Sequence, residues 1–188
     1  KQKLNFELAD TINKEILSLV KEGCRYIQID EPLFARKVND ALSFGIEGLE
    51  RCFHGVPSNI TKIVHMCCGY PNALDSTGYK KADKDVYFQI ADTIEDSCIK
   101  EVSIEDAHRH NDLSLLEKFK TTSVIFGVVK IASSRIETLD EIRDRLTAAL
   151  EHIDDTRLIA GPDCGLGFFT RELAISKMKV LSEAARSI

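Results

Sequence analysis

A chain of 188 residues, 44% hydrophobic and 29% charged, is long enough to bury a core of its own without the help of disulfides. Its net charge of −5 carries no long basic cluster, which argues against nucleic acid or an anionic membrane surface as a partner. No apolar run approaches the ~20 residues that a bilayer crossing needs.

In chain order, FELADTINKEILSLVKEG places Leu8, Ile12, Ile16 and Leu19 at helical spacing and stops at Gly23. RYIQID (25–30) has the length and β-branched content of a buried strand. Val38, Leu42, Ile46, Leu49 and Phe53 form a second helical stripe, and KIVHMC (62–67) a second strand. CGYPNALDSTGYKK reads as a long loop, with Tyr70 and Tyr79 available to cover a ligand. Asp85 is placed to cap a helix carrying Val86, Ile90 and Ile94; EVSIED (101–106) and SVIFGVV (123–129) are the third and fourth strands. TLDE, from Thr138 to Glu141, has the form of a capping box opening a helix with Ile142, Leu146 and Leu150. RLIAGPD (157–163) is the fifth strand, and a last helix from about Thr170 to Ser187 carries Leu173, Met178 and Leu181.

A helix followed by five strand–helix units implies right-handed βαβ crossovers and a parallel sheet, forming one domain over residues 1–188. An open doubly wound sheet would satisfy the count, but no glycine-rich phosphate loop follows any strand, and the chain opens on a helix. Both features favour an α/β fold of the TIM (β/α)8 barrel type, with about the last five βα units present. The first three units are then expected from N-terminal sequence outside this stretch or from a partner chain. Six cysteines are spread with no C-x-x-C pair, and no signal peptide opens the chain, so reduced thiols in the cytoplasm are expected.

Residues with chemistry gather at the C-terminal ends of the strands: Asp30 and Glu31, His65 and Cys67, Glu105 and Asp106, Asp163 and Cys164. In a barrel those ends share one face. Side chains two apart on a strand point the same way, so His65 and Cys67 can reach one ion while Cys68 points elsewhere. A lone H-x-C is ordinarily a core histidine beside buried thiols. A second thiol in GPDCG, flanked by glycines, strengthens the metal reading, and His65, Cys67, Glu105 and Cys164 make a plausible tetrahedral Zn2+ set. Glu105 reads equally as a salt-bridged strand-end carboxylate. A thiolate-rich zinc binds an incoming thiol and presents it as a nucleophile, which suits alkyl transfer to sulfur; Glu105, the hard oxygen donor, is the ligand expected to yield.

IQIDEP, HMC, SIE and PDCGL occur in an order and at separations that resemble the C-terminal catalytic barrel of cobalamin-independent methionine synthase, over essentially the whole chain. The resemblance implies the β/α barrel shared with uroporphyrinogen decarboxylases and methyl transfer from a methyltetrahydrofolate to homocysteine. It also implies zinc on His65, Cys67, Glu105 and Cys164, with Asp30 holding the amino group of homocysteine; an N-terminal cap for the following helix is the plainer role for Asp30.

One departure matters. Where the folate-dependent synthases carry D-I-H-S, this chain reads KIAS, with Lys130 for the aspartate and Ala132 for the histidine thought to protonate the departing folate. A methylated corrinoid or another alkyl donor, or a coenzyme M-like thiol as acceptor, is therefore the alternative, and a non-catalytic paralogue is the reading from a different class. Lys130, His108 and His110 are further candidates for proton handling, although solvated side chains are the commoner outcome for such loop residues.

Overall fold

The computed structural model describes residues 1–76 and 78–188. Helix α1 (Gln2–Lys21) leads into β1 (Tyr26–Glu31); α2 (Val38–Asp40) and α3 (Ile46–Cys52) follow, joined by a π-helical turn, Ala41–Gly45. Then come β2 (Thr61–Met66), α4 (Val86–Glu95), β3 (Glu101–Glu105), β4 (Ser123–Val129), α5 (Leu139–Ala149), β5 (Leu158–Pro162) and α6 (Arg171–Ala185). The five strands pair in the order β1-β2-β3-β4-β5, every neighbouring pair parallel. A strand order that never reverses has no switch point, which removes the doubly wound alternative and leaves consecutive units of a β/α barrel.

The ladder register sorts the side chains into two faces. Val64, Val102 and Val124 lie abreast, as do Met66, Ile104 and Phe126, and all six are fully buried beneath the helices. The other face carries Asp30, His65 and Ser103 abreast, then Glu105 beside Gly127 and Gly161 near the strand ends. Alternation along each strand thus separates an apolar core from a polar interior.

Three local expectations change. The α1 stripe points outward: Ile16 is 3% exposed, but Leu8, Ile12 and Leu19 are 55%, 43% and 42% exposed. Gly48 admits Asn5 where a side chain would collide, and Asn13 donates to the carbonyls of Cys52 and His54, so a polar, small-residue face docks on α3 instead. Leu42 is likewise exposed, because the π turn inserts a residue and rotates it away from Ile46, Leu49 and Phe53. The crossover from β3 to β4 is a 3-10 helix, Leu113–Lys118, capped by the Asp112 side chain, in place of an α-helix; a polar loop consumes residues 106–112 and leaves too few for more turns.

The Thr138–Glu141 capping box forms in both directions, whereas Asp85 occupies its N-cap position without a side-chain bond. Lys177 of α6, fully buried, is paired with Glu137 at 3.0 Å and donates to the carbonyl of Lys130, tying the loop after β4 to the last helix. Among the described residues, no helix is long and apolar enough to cross a membrane.

Candidate metal centre

His65, on β2, is 4% exposed and faces the interior. Its Nδ1 lies 2.9 Å from Ser103 Oγ, directly across the β2–β3 ladder, and this bond aims Nε2 away from the sheet. Nε2 meets Cys164 Sγ at 3.0 Å. Cys67, two residues beyond His65, completes a group whose donor atoms all lie within 4.8 Å of one another.

The electrostatics of the group suit a cation. A hydrogen bond from Cys164 lowers the Cys67 thiol, burial opposes this, and His65 adds to the lowering. Cys164 is correspondingly pushed up by holding the shared proton, and burial adds to it. One imidazole and two thiols, one already held toward thiolate, form a soft donor set of the kind that zinc occupies. Cys68 is excluded from the group: it is buried in the core, where burial pushes its thiol up to about 11. The chain's cysteines are all free thiols.

Glu105 is at the site's edge and outside that three-residue group. Its Oε1 accepts the N–H of Cys68 at 2.7 Å, and its Oε2 is paired with Lys81. Burial raises its carboxyl above the ordinary value, and Lys81 opposes that rise. Burial works against the Lys81 charge, but Glu105 outweighs it and leaves the lysine above its usual value.

Asp163 shapes the loop that follows Glu105. Fully buried, it accepts the N–H groups of Asp106 and Ala107 on Oδ1 and of His108 on Oδ2, all at 2.8 Å. Gly127 makes room for it; a Cβ there would lie 2.6 Å from Oδ1. Asp106 in turn receives a two-pronged contact from Arg145 of α5 at 2.7 and 2.8 Å. These two aspartates are therefore taken up in structure.

Asp30 lies exposed on the interior face, beside His65 in the ladder, accepting from Gln28 at 2.7 Å. Glu31, and not Asp30, accepts the Leu33 N–H ahead of the 3-10 turn Phe34–Arg36, at 2.9 Å. The loop after β2 crosses the mouth of the sheet. Tyr70 donates to the Gly165 carbonyl at 2.9 Å, accepts the Gly167 N–H at 3.1 Å and stacks on Phe168, fastening the segment that bears Cys164. Farther on, Asp75 donates its N–H to the Ala132 carbonyl and accepts from the Ser134 N–H, tying the loop to the segment after β4. Tyr79 lies 3.1 Å from His108 Nδ1. His108 is lowered to about 4 by burial and by Lys81, Lys130 and Arg109. His110 is exposed, and half-buried Lys130 shares a cleft of about 210 Å³ with it, Arg135, Glu137 and Arg145.

Ser103, Lys81 and Tyr87 were not singled out in the sequence. Tyr87 donates to the Met66 carbonyl and accepts the Glu105 N–H, bridging the ends of β2 and β3. The two-residue step from Glu105 back to Ser103 is a usable signal for the serine; Tyr87 has none, and Lys81 only the indirect one of Gly69 in its loop.

The family model described as "Cobalamin-independent synthase, Catalytic domain" matches residues 1–187. Methionine synthase of Thermococcus kodakarensis is 32% identical over 95% of this chain and 48% of its own length, and that of Pyrococcus abyssi 30% identical over 100% and 50%. The chain thus spans about half the length of the curated relatives it matches. Among solved structures, a B12-independent methionine synthase from a Shewanella species, in complex with selenomethionine, superposes with a TM-score of 0.87 at 28% identity, over 99% of this chain and 55% of that one. A methyltransferase from Methanosarcina mazei shares the fold, with a TM-score of 0.62 at 19% identity over 99% and 47% of the two chains.

Proposed function

Because the chain belongs to the family of cobalamin-independent synthase catalytic domains, we propose that it serves a zinc-dependent S-methyltransferase that forms methionine from homocysteine. The observation that carries the metal half of this reading is the convergence of His65, Cys67 and Cys164 from β2 and the loop after β5. The acceptor rests on the names of the relatives and on the selenomethionine held by the Shewanella protein.

Zinc on these donors would lower the pKa of an incoming thiol and keep it a thiolate at neutral pH. Glu105 is the proposed fourth donor. The chain's own residues do the rest. Asp30, abreast of His65, is assigned to the ammonium of homocysteine, which needs a paired carboxylate once desolvated. Ser103 holds the imidazole in one orientation, and the loop fastened by Tyr70 and Asp75 limits water at the mouth. In the transfer, a sulfur lone pair forms the new S–CH3 bond as the donor's bond to that methyl breaks. The released pair stays on the donor atom, which then takes a proton. Lys130, His108 and His110 stand on the loops where such a proton would be handled.

Methyltetrahydrofolate is the donor that family membership favours. A second reading, a methylated corrinoid or other alkyl donor, or a coenzyme M-like acceptor, is supported by Ala132, whose carbonyl is engaged by Asp75 where an imidazole would be needed. Three further βα units, from the same polypeptide or from a partner chain, would complete the barrel between the edge strands β1 and β5. The free thiols support a cytoplasmic setting.

Metal analysis and a donor screen test the reading. About one zinc per chain is expected, lost in Cys164→Ser, together with methylation of homocysteine from one of the donor classes. Protein purified under reducing conditions without zinc, or a Cys164→Ser variant as active as its parent, overturns it.

A further inference from the structure

We propose that Lys81 is a positioning residue: it is the alternative partner for the Glu105 carboxylate, which it receives when the incoming thiol takes the fourth place at the metal. The inference rests on the zinc reading above and adds a residue that none of the motifs contains.

The fold brings Lys81 to the site through the loop after β2. Gly69 has φ +148° and packs against the Lys80 carbonyl, where any side chain would collide. The Ala82 N–H donates to the Cys68 carbonyl at 2.9 Å, so the far end of the loop returns to the strand end from which it left. Lys81 is thereby turned inward, and its side chain is 6% exposed against 4% for Glu105. Its ammonium also lies 5.0 Å from the centre of the Tyr79 ring. The other carboxylate oxygen of Glu105 is held by the N–H of Cys68, the neighbour of a proposed ligand. Glu105 therefore has one oxygen on the backbone next to Cys67 and the other on a buried ammonium.

Charge decides why such an ammonium is needed. A divalent cation with two thiolates and one imidazole is neutral overall. A carboxylate or a substrate thiolate in the fourth place makes it singly negative, whereas both together make it doubly negative. The thiolate is therefore favoured only if the carboxylate leaves. A buried carboxylate without a partner is strongly disfavoured. Lys81 turns the exchange into a passage between two paired states. Without that ammonium the carboxylate loses its paired alternative to the metal, so it holds the fourth place more firmly and the thiol is kept out. A purely structural Lys81–Glu105 pair would alter stability and leave that competition unchanged.

The test compares zinc affinity, by competition with a chromophoric chelator, and homocysteine affinity, by the sulfur-to-metal charge-transfer band of the cobalt(II)-loaded protein. Lys81→Met is expected to bind zinc about tenfold more tightly and homocysteine about tenfold more weakly than its parent, while Lys81→Arg stays close to the parent in both. In a Glu105→Gln background, which removes the charge being exchanged, Lys81→Met is expected to leave homocysteine affinity unchanged. Should Lys81→Met fail to fold, Lys81→Gln removes the charge, keeps a hydrogen-bond donor and is read the same way. A parent that binds zinc, with charge-removing variants matching it in both affinities, overturns the role of Lys81 and leaves the zinc reading intact. A parent that takes up no zinc overturns both.

Discussion

Ser103 Oγ lies 2.9 Å from His65 Nδ1, and the two residues face each other across the β2–β3 ladder. The serine thereby fixes which ring nitrogen is offered to a metal. Ser103→Ala should leave the fold intact, because the residue is small and interior, yet lower zinc affinity about tenfold, the usual cost of losing such an outer partner. Chelator competition on the variant checks this; an unchanged affinity would mean that packing alone orients the ring.

Asp30 makes a separable prediction. It stands beside the proposed metal group, and no cation is paired with its side chain among the described residues. Asp30→Asn should raise KM for homocysteine at least about tenfold through loss of a charge-assisted bond, with zinc content unchanged. Steady-state kinetics with metal analysis on the same sample would expose a different role if KM stayed put.

Tyr70 holds the Cys164 segment with two hydrogen bonds and a stacked ring. Tyr70→Phe keeps the stack and removes both bonds, each contributing about 1 kcal/mol net. Amide exchange at Gly165 and Gly167 is expected to accelerate while the central strands stay protected; uniform exchange rates before and after would contradict the fastening role.

His108 supplies a pH dependence. Burial, then Lys81, Lys130 and Arg109, lower its folded value from 6.5 to about 4. Between those values the unfolded chain binds the proton and the folded one does not. The stability linked to this residue is therefore complete above pH 6.5 and is lost as pH falls toward 4. His108→Gln should gain on its parent in melting temperature as pH falls from 7 to 4. Parallel melting curves across that range would show that the imidazole is solvated after all.

How much of this was legible beforehand depends on the range of the interaction. Strand–helix alternation, the capping box at Thr138 and the shared face of His65 and Cys67 follow from local periodicity, and they are present save for the 3-10 crossover between β3 and β4. Periodicity also grouped Leu8, Ile12 and Leu19 correctly on one helix face, but it could not say whether anything covers that face. Leu42 was lost to a π turn that no simple spacing reports. Ser103 shares the face of Glu105 by the two-residue step, but its pairing with His65 needs the ladder register. Lys81 depends on a loop that returns to its own starting strand, a tertiary closure that the sequence hints at only through Gly69. For Glu105, the salt bridge that the sequence offered beside the ligand role is present as the pair with Lys81.

The 3.0 Å contact between His65 and Cys164 also measures the bending of the sheet. Strands β2 and β5 are three steps apart, and at about 4.8 Å per step a flat sheet would hold them about 14 Å apart. The donors meet because the sheet curls and the segment after β5 folds inward across the hollow. Any flattening of that curl spreads the donors, however distant the cause. Elements that pack against the open edges at β1 and β5 would therefore tune the grip on a metal through the shape of the sheet, without touching a single donor atom.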